Sequence, residues 1–275
     1  MPVVDFHFHV TRGEEYLRSI SHGLKTMLEW KDSKGDPRQV LNRAGIARFL
    51  DQEGVDYAVA LAEIGYASTI YPNNEDVVEF CQGIPRLIPF CHINPFLVGR
   101  PAQLLERCVK ELGFKGLKLH PTFNLYYPND SFMYPVYAKA EELGIPVIIH
   151  TGSSTLAGSR LKYGDPLWID DVAVDFPHLR VIQAHGGRGF WYDRALFLTR
   201  LHENLYIDIS GLPPQRLLTY FPDLEKSADK VLFGSDWPGP SVKTNIEAIQ
   251  SLPMSDQAKD KILGGNAMKI LGLGG

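Results

Sequence analysis

A chain of 275 residues, 44% hydrophobic and 22% charged, has the composition of a globular protein with a large buried core. A formal net charge of -4 and a pI near 6.1 exclude the dense basic patch that nucleic acid or an anionic membrane surface demands. Three cysteines, Cys81, Cys91 and Cys108, with no Cys-x-x-Cys pair, argue against a disulfide framework and for a reducing setting. The N-terminus enters an apolar run without a basic leader, and no run approaches the ~20 apolar residues of a membrane span, so a cytoplasmic location is expected.

In chain order, eight short apolar runs stand out: "VVDFHFH" (3–9), "VDYAVALAE" (55–63), "LIPFCHI" (87–93), "GLKLH" (116–120), "IPVIIH" (145–150), "LRVIQAH" (179–185), "NLYIDIS" (204–210) and "KVLFGSD" (230–236). Their brevity and Gly and Pro flanks read as buried parallel strands rather than helix segments. Helical patterns fall between them: "QVLNRAGIARFLDQEG" stops at Gly54, "PAQLLERCVKELGF" starts at Pro101 and stops at Gly113, and "YPVYAKAEELGI" stops at Gly144. Eight evenly spaced strand–helix units predict one closed (β/α)₈ barrel, a single domain over residues 1–275. An open doubly wound sheet would carry a glycine-rich turn after its first strand, and "HFHVTRGEE" is not one. The long gap after the first strand, about 11–37, carries Leu17, Ile20, Leu24, Met27 and Leu28 at helical spacing and predicts a short helical insertion, either a lid over the barrel mouth or a surface cap. Ser255 reads as the cap of a final helix.

Catalytic residues of such barrels sit at the C-terminal ends of strands. The runs end on His7 and His9, Glu63, His92 with Asn94, Lys118 with His120, His150, His185, Asp208 with Ser210, and Asp236. His7 and His9, two apart on a strand, share a face. Nine histidines in this chain give roughly 0.3 His-x-His pairs by chance, so the pair alone is weak. His150, His185 and Asp236 make it a constellation: neutral imidazoles and a carboxylate suit Zn²⁺, and also Mn²⁺, Fe²⁺ or Co²⁺.

"DFHFH", "GLKLHP", "PVIIHTG", "VIQAHGG", "LFGSDWP" and the closing "GGNAMKILGL" together resemble the amidohydrolase superfamily, in particular the amidohydrolase-related group that includes aminocarboxymuconate-semialdehyde decarboxylase-like proteins. The resemblance covers nearly the whole chain. It implies a divalent metal, Zn²⁺ first and Mn²⁺ second, as one or two ions, held by His7, His9, His150 and Asp236. It also implies Asp236 as the proton-handling carboxylate and His185 as the group that polarises substrate and water or binds a second ion. A small-molecule substrate and a homo-oligomer follow from the same resemblance.

Lys118 has three readings: a carboxylated lysine bridging two ions, a cationic substrate anchor, or a structural lysine paired with an acid; the anchor is preferred. His120, His185, Arg188 and Trp237 complete a set for a second metal or for substrate. Asp5 could orient a ligand imidazole or be a hydrogen-bonded core carboxylate, His92 could touch substrate or be a satisfied core histidine, and Arg12 and Arg188 could hold a carboxylate or form surface ion pairs. Phe123, Tyr126, Tyr127, Trp191 and Trp237 suggest an apolar pocket or merely anchored loops. His22, His178 and His202 fall outside strand ends and receive no chemical role, and Cys91 reads as core. The expected activity is hydrolysis, a metal-activated water attacking an ester, lactone or amide of a small organic acid. The alternative is non-oxidative decarboxylation of an aromatic or unsaturated acid. The same ligands serve both, and the greater usual length of such decarboxylases favours hydrolysis. A non-catalytic binding barrel would have broken ligand positions, and all five are intact.

Overall fold

The computed structural model describes residues 1–10, 43–64, 73–154, 158–237 and 241–274. The expected insertion after the first strand, with Arg12 and His22, lies outside them. Eight strands form one parallel sheet in chain order: β1 (Val4–His9), β2 (Tyr57–Leu61), β3 (Leu87–His92), β4 (Gly116–Leu119), β5 (Val147–His150), β6 (Val181–Ala184), β7 (Leu205–Asp208) and β8 (Val231–Leu232). The crossover helices include α1 (Arg43–Glu53), α2 (Asn74–Cys81), α3 (Pro101–Lys110), α4 (Tyr134–Glu142), α5 (Trp168–Asp175), α6 (Tyr192–Leu201) and α7 (Val242–Gln250). Gly54, Gly113 and Gly144, the predicted helix stops, all adopt positive φ.

The last run is shorter as a strand than its apolar length suggests, yet it closes the barrel. Phe6 N–H donates to Phe233 C=O, Asp236 N–H to His7 C=O and His9 N–H to Trp237 C=O, at 2.9, 3.0 and 3.1 Å. The first and last strand ends are thereby tied together.

Alternation places two cores. Inside the barrel, Val4, Phe6, Val59, Leu61, Ile88, Phe90, Ile148, Ile182 and Leu232 fill the lower layers, capped by Ala267 and Ile270 of the final helix. Outside, a larger apolar layer joins sheet to helices, including Phe8, Phe49 and Leu105. The register of β1 against β2 shifts between Asp5 and Phe8. Phe6 therefore packs inside, edge-on to Phe90 at 5.8 Å, while Phe8 packs outside on Phe49 and Trp237. A bulge of this kind re-aims side chains beyond it, here those of His7 and His9.

Gly116 is required where β4 meets this interior, because a Cβ would overlap the Phe90 ring. Gly116→Ala should cost about 1–3 kcal/mol of stability through overpacking, with part recovered in the Phe90→Leu/Gly116→Ala double variant. Urea unfolding of wild type, Gly116→Ala, Phe90→Leu and the double variant checks this; additive losses would contradict the packing assignment.

Candidate metal centre at the strand ends

Above the apolar layers every inward strand end carries a polar side chain. His7, His9, Glu63, His92, Lys118, His120, His150, His185 and Asp208 are all buried, and Asp236 is partly exposed. The layer below is dry, so the donors at the rim meet one another rather than solvent.

Among the described residues, two groups of donors converge closely enough to hold an ion: His7, His9 and Asp236, and His7, His185 and Asp208. Hydrogen bonding separates them. Asp208 is fully used: Oδ2 accepts from His7 Nδ1 (2.9 Å), and Oδ1 accepts from the backbone N–H of His185 (3.1 Å) and Ser210 (3.0 Å) and from the Ser210 hydroxyl. Burial alone would raise its pKa, but His7, His185 and Lys118 hold it below the usual carboxylate range. Asp208 is thus a fixed anion that turns His7. With Nδ1–H committed to it, the Nε2 lone pair of His7 points into the barrel mouth, the carboxylate–histidine pattern that orients metal ligands.

In the other group, Asp236 Oδ1 lies 3.3 Å from His9 Nε2 and 3.6 Å from His7 Nε2. Donors about 2.0–2.1 Å from a common ion stand roughly 3.0–3.5 Å apart, so these spacings fit one ion. Asp236 is held well below the usual carboxylate range: burial opposes this, and His185, His9, His7 and Arg188 outweigh it. Its other oxygen faces Arg188 Nη1 at 3.5 Å.

His150 belongs to neither three-residue group, but it reaches the centre through His185. The two rings are 4.6 Å apart, and His185 is 4.8 Å from His7. His185 Nδ1 donates to the Ser210 carbonyl (2.9 Å), and His150 Nε2 donates to the Ser153 carbonyl (3.2 Å). Carbonyl oxygens only accept, so in the neutral rings His185 Nε2 and His150 Nδ1 are both lone pairs, 3.1 Å apart. Both pKa values lie well below 6.5, burial first and neighbouring cations and imidazoles next, which leaves no ring proton to share. Two facing lone pairs repel, and a divalent cation relieves them. The donor set therefore fits a metal ion on chemical grounds as well as on spacing.

His185 and Asp236 both have left-handed backbones, φ 61° and 60°. Such conformations cost non-glycine residues roughly 1–2 kcal/mol and concentrate at functional sites. Gly211 makes the corner possible: a Cβ there would stand 2.5 Å from both Arg188 Nη1 and Asp236 Oδ2.

Other expected site residues are placed differently. Asp5 orients no imidazole; its Oδ1 accepts from the backbone N–H of His7 and Ser235 (3.2 and 2.9 Å), because the bulge breaks the parity assumed for it. Burial, ahead of these bonds, raises its pKa to about 7. The Trp237 ring packs on Phe8 and Phe49 in the outer layer. His92 accepts from Asn124 Nδ2 at 2.9 Å, and burial, then Lys118, lowers its pKa to about 3. Phe123 lies beside His120, whereas Tyr126, Tyr127 and Trp191 pack on Phe96, Trp168 and Phe190. His202 pairs with Asp170 at 2.6 Å, and Cys91 is core. A carboxylated Lys118 would place a second anion beside Glu63, whose Oε1 is 4.0 Å from Nζ, so the site disfavours that bridge. Asp208, Ser210 and Glu63 were strand-end residues without an assigned role; that position was their only signal in the sequence.

The fold and site define a barrel scaffold with a candidate divalent-metal centre at its C-terminal rim. A family model described as amidohydrolase matches residues 4–273, and the chain belongs to that family. Among characterised relatives, it is 30% identical over 206 residues to 2-keto-4-carboxy-3-hexenedioate hydratase of Sphingobium sp., covering 60% of this chain and 59% of that one. It is 25% identical to gamma-resorcylate decarboxylase of Polaromonas sp. (62% and 66% covered) and 26% identical to 2-amino-3-carboxymuconate-6-semialdehyde decarboxylase of Dictyostelium discoideum (62% and 57%). Each match spans less than two thirds of the relative's length. Two solved structures share the fold: an uncharacterised TIM-barrel protein of Bordetella bronchiseptica (TM-score 0.81, 24% identity, 99% of both chains) and a dihydroxybenzoic acid decarboxylase of Polaromonas sp. with bound manganese and 2-nitroresorcinol (0.71, 19%, 98% and 97%). These relatives overturn the expected hydrolase assignment: two are decarboxylases and one a hydratase. The ligand set could not reveal this, since hydrolysis and carbon–carbon cleavage use the same metal donors. No helix among the described residues is long and apolar enough to cross a membrane.

If Asp208 orients His7, Asp208→Asn should lower divalent-metal affinity about 10–100-fold while the barrel stays folded. Metal titration with circular dichroism checks this, and unchanged affinity would remove Asp208 from the site. Gly211→Ala should displace Arg188 or Asp236 and likewise lower metal content, measured by elemental mass spectrometry.

Proposed function

We propose that this chain is a metal-dependent, non-oxidative decarboxylase of an aromatic or unsaturated carboxylic acid. The observation that carries the reading is Asp236: a carboxylate held well below its usual range, 3.3 Å from His9, in a family whose characterised relatives include decarboxylases. His7, His9 and Asp236, with His150 and His185, would hold the ion, and a bound divalent ion supplies charge stabilisation for anionic substrate oxygens. The mixed imidazole and carboxylate set accepts Mn²⁺ as well as Zn²⁺; manganese in the Polaromonas structure moves it ahead of the zinc expected from sequence. One ion is proposed, because Asp208 is saturated and a carboxylated Lys118 is disfavoured beside Glu63. Site and barrel are taken as one domain.

An ionised Asp236 cannot begin as an acid, so the proton must come from the substrate. In this mechanism Asp236 takes the proton of an acidic hydroxyl on the substrate and delivers it to the carbon that bears the carboxylate. The bond to the carboxylate then breaks, CO₂ leaves, and the electron pair it releases restores the conjugated system. The substrate oxygen, left as an anion, regains a proton from solvent. Arg188 holds Asp236 from the far side, and His185, fixed by Ser210, keeps a neutral face toward the reacting group. Buried walls exclude water that would compete for the proton.

The hydratase at 30% identity supports a second reading, water addition to an unsaturated acid. One experiment separates them. Metal-loaded protein is incubated in D₂O with a panel of hydroxybenzoic and muconate-type acids. One CO₂ per product with a single deuterium at the vacated carbon is expected; hydrated product without CO₂ gives the second reading, and neither product refutes both. Chelation should abolish turnover and Mn²⁺ or Zn²⁺ restore it. Asp236→Asn should lower the rate at least 10³-fold, in line with loss of an acid–base group, as measured by CO₂ capture; full activity would remove Asp236 from proton transfer.

A further inference from the structure

Across the barrel mouth from Asp236, the wall of β4 carries a second set of groups that the mechanism above does not use. Lys118 is fully buried. Its ammonium has three N–H donors, yet among the described residues only His7 Nε2 lies in hydrogen-bond range, at 3.1 Å, and Glu63 Oε1 stands off at 4.0 Å. His120 is 3% exposed, its ring 4.0 Å from that of His150 and Nδ1 3.6 Å from Glu63 Oε1, and neither ring nitrogen makes a hydrogen bond among the described residues. Buried polar groups are ordinarily satisfied, so a buried ammonium and imidazole with donors to spare, side by side, describe a place for an anion.

The same lone pair of His7 serves Lys118 and would serve the ion, and it cannot serve two cations at once. Lys118 and Arg188 face Glu63, Asp208 and Asp236 around the centre, one negative charge in excess. A divalent ion turns this into one positive charge in excess, which a single carboxylate neutralises. Asp5 stands apart, behind the His7 backbone.

We propose that Lys118 and His120 form the anchor for a carboxylate of the substrate, and that the divalent ion frees this anchor by taking His7 Nε2 from the Lys118 ammonium. The anchor rests on the metal reading above but not on the decarboxylation itself. It makes metal and carboxylate binding mutually favourable, since each ligand removes a cost met by the other. Small carboxylates would bind poorly to metal-free protein, where Lys118 is engaged.

The test is calorimetric titration of wild type, Lys118→Met, Lys118→Arg and His120→Gln with Mn²⁺, with benzoate and with neutral benzamide. In wild type, benzoate should tighten Mn²⁺ binding several-fold, and benzamide should not. Lys118→Met should bind Mn²⁺ at least as tightly as wild type, bind benzoate tenfold or more weakly, and lose the coupling. Lys118→Arg should keep much of the benzoate affinity, and His120→Gln should weaken benzoate while leaving Mn²⁺ binding unchanged. Circular dichroism shows whether each variant folds; should Lys118→Met not fold, the arginine and glutamine variants decide. Benzoate affinity or coupling unchanged in Lys118→Met and His120→Gln overturns the anchor. If those losses occur while wild type releases CO₂ from no acid, the anchor stands and decarboxylation falls. If wild type releases CO₂ and Lys118→Met keeps its KM and benzoate affinity, decarboxylation stands and the anchor falls.

Discussion

The backbone hydrogen bond from Asp236 N–H to His7 C=O, 3.0 Å long, is the constraint on which the centre depends. It joins the last strand to the first and turns an eight-stranded ribbon into a barrel. Without closure, His7 and His9 would sit at one edge of a sheet and Asp236 at the other. With it, the first and last polar ends become neighbours, and the ends of β5, β6 and β7 fill the remaining arc. Backbone geometry does the joining, so side-chain donors can remain available for a ligand.

Around that seam the site is arranged in shells of decreasing adaptability. Asp208 sits deepest, saturated by four donors, and acts only by turning His7. Next come the imidazoles, whose tautomers follow from Asp208, Ser210 and Ser153. Outermost is Asp236, which keeps one oxygen toward the histidines and one toward Arg188. Burial is the cause common to these shells: it holds the pKa values of His150 and His185 well below the usual imidazole value, while nearby positive charge outweighs it at Asp208 and Asp236 and holds both below the usual carboxylate range. Desolvation and pairing act in opposite directions on these two kinds of group.

The same logic distinguishes Lys118 from a structural lysine. A buried lysine of purely structural use would be expected in direct contact with an acid. Lys118 instead contacts an imidazole lone pair that the fold has prepared for another cation. Its nearest acid is 4.0 Å away, so it is stable enough to be buried and free enough to be displaced.

Alternating apolar runs and capped helices made the eight strands legible, because burial on both faces requires continuous apolar residues and helix ends require particular residues. Placement of His7, His9, His150, His185 and Asp236 at run ends was equally legible, since it depends only on where each run stops. Of the two roles open to Asp5, the hydrogen-bonded core carboxylate is the one found, because a bulge, invisible in a two-residue period, shifts the phase of β1. For Trp237, offered either as pocket or as loop anchor, the anchor is found, packed on Phe8 and Phe49, because which face of the sheet a loop aromatic covers depends on closure. The chain's sequence alone determined a barrel with metal-type donors on one rim. Only the tertiary structure decided which donors share an ion, that Asp208 turns His7, and that Lys118 stands beside that histidine. These relations are set by barrel closure, the β1 bulge and two left-handed residues, and they join positions far apart in the chain.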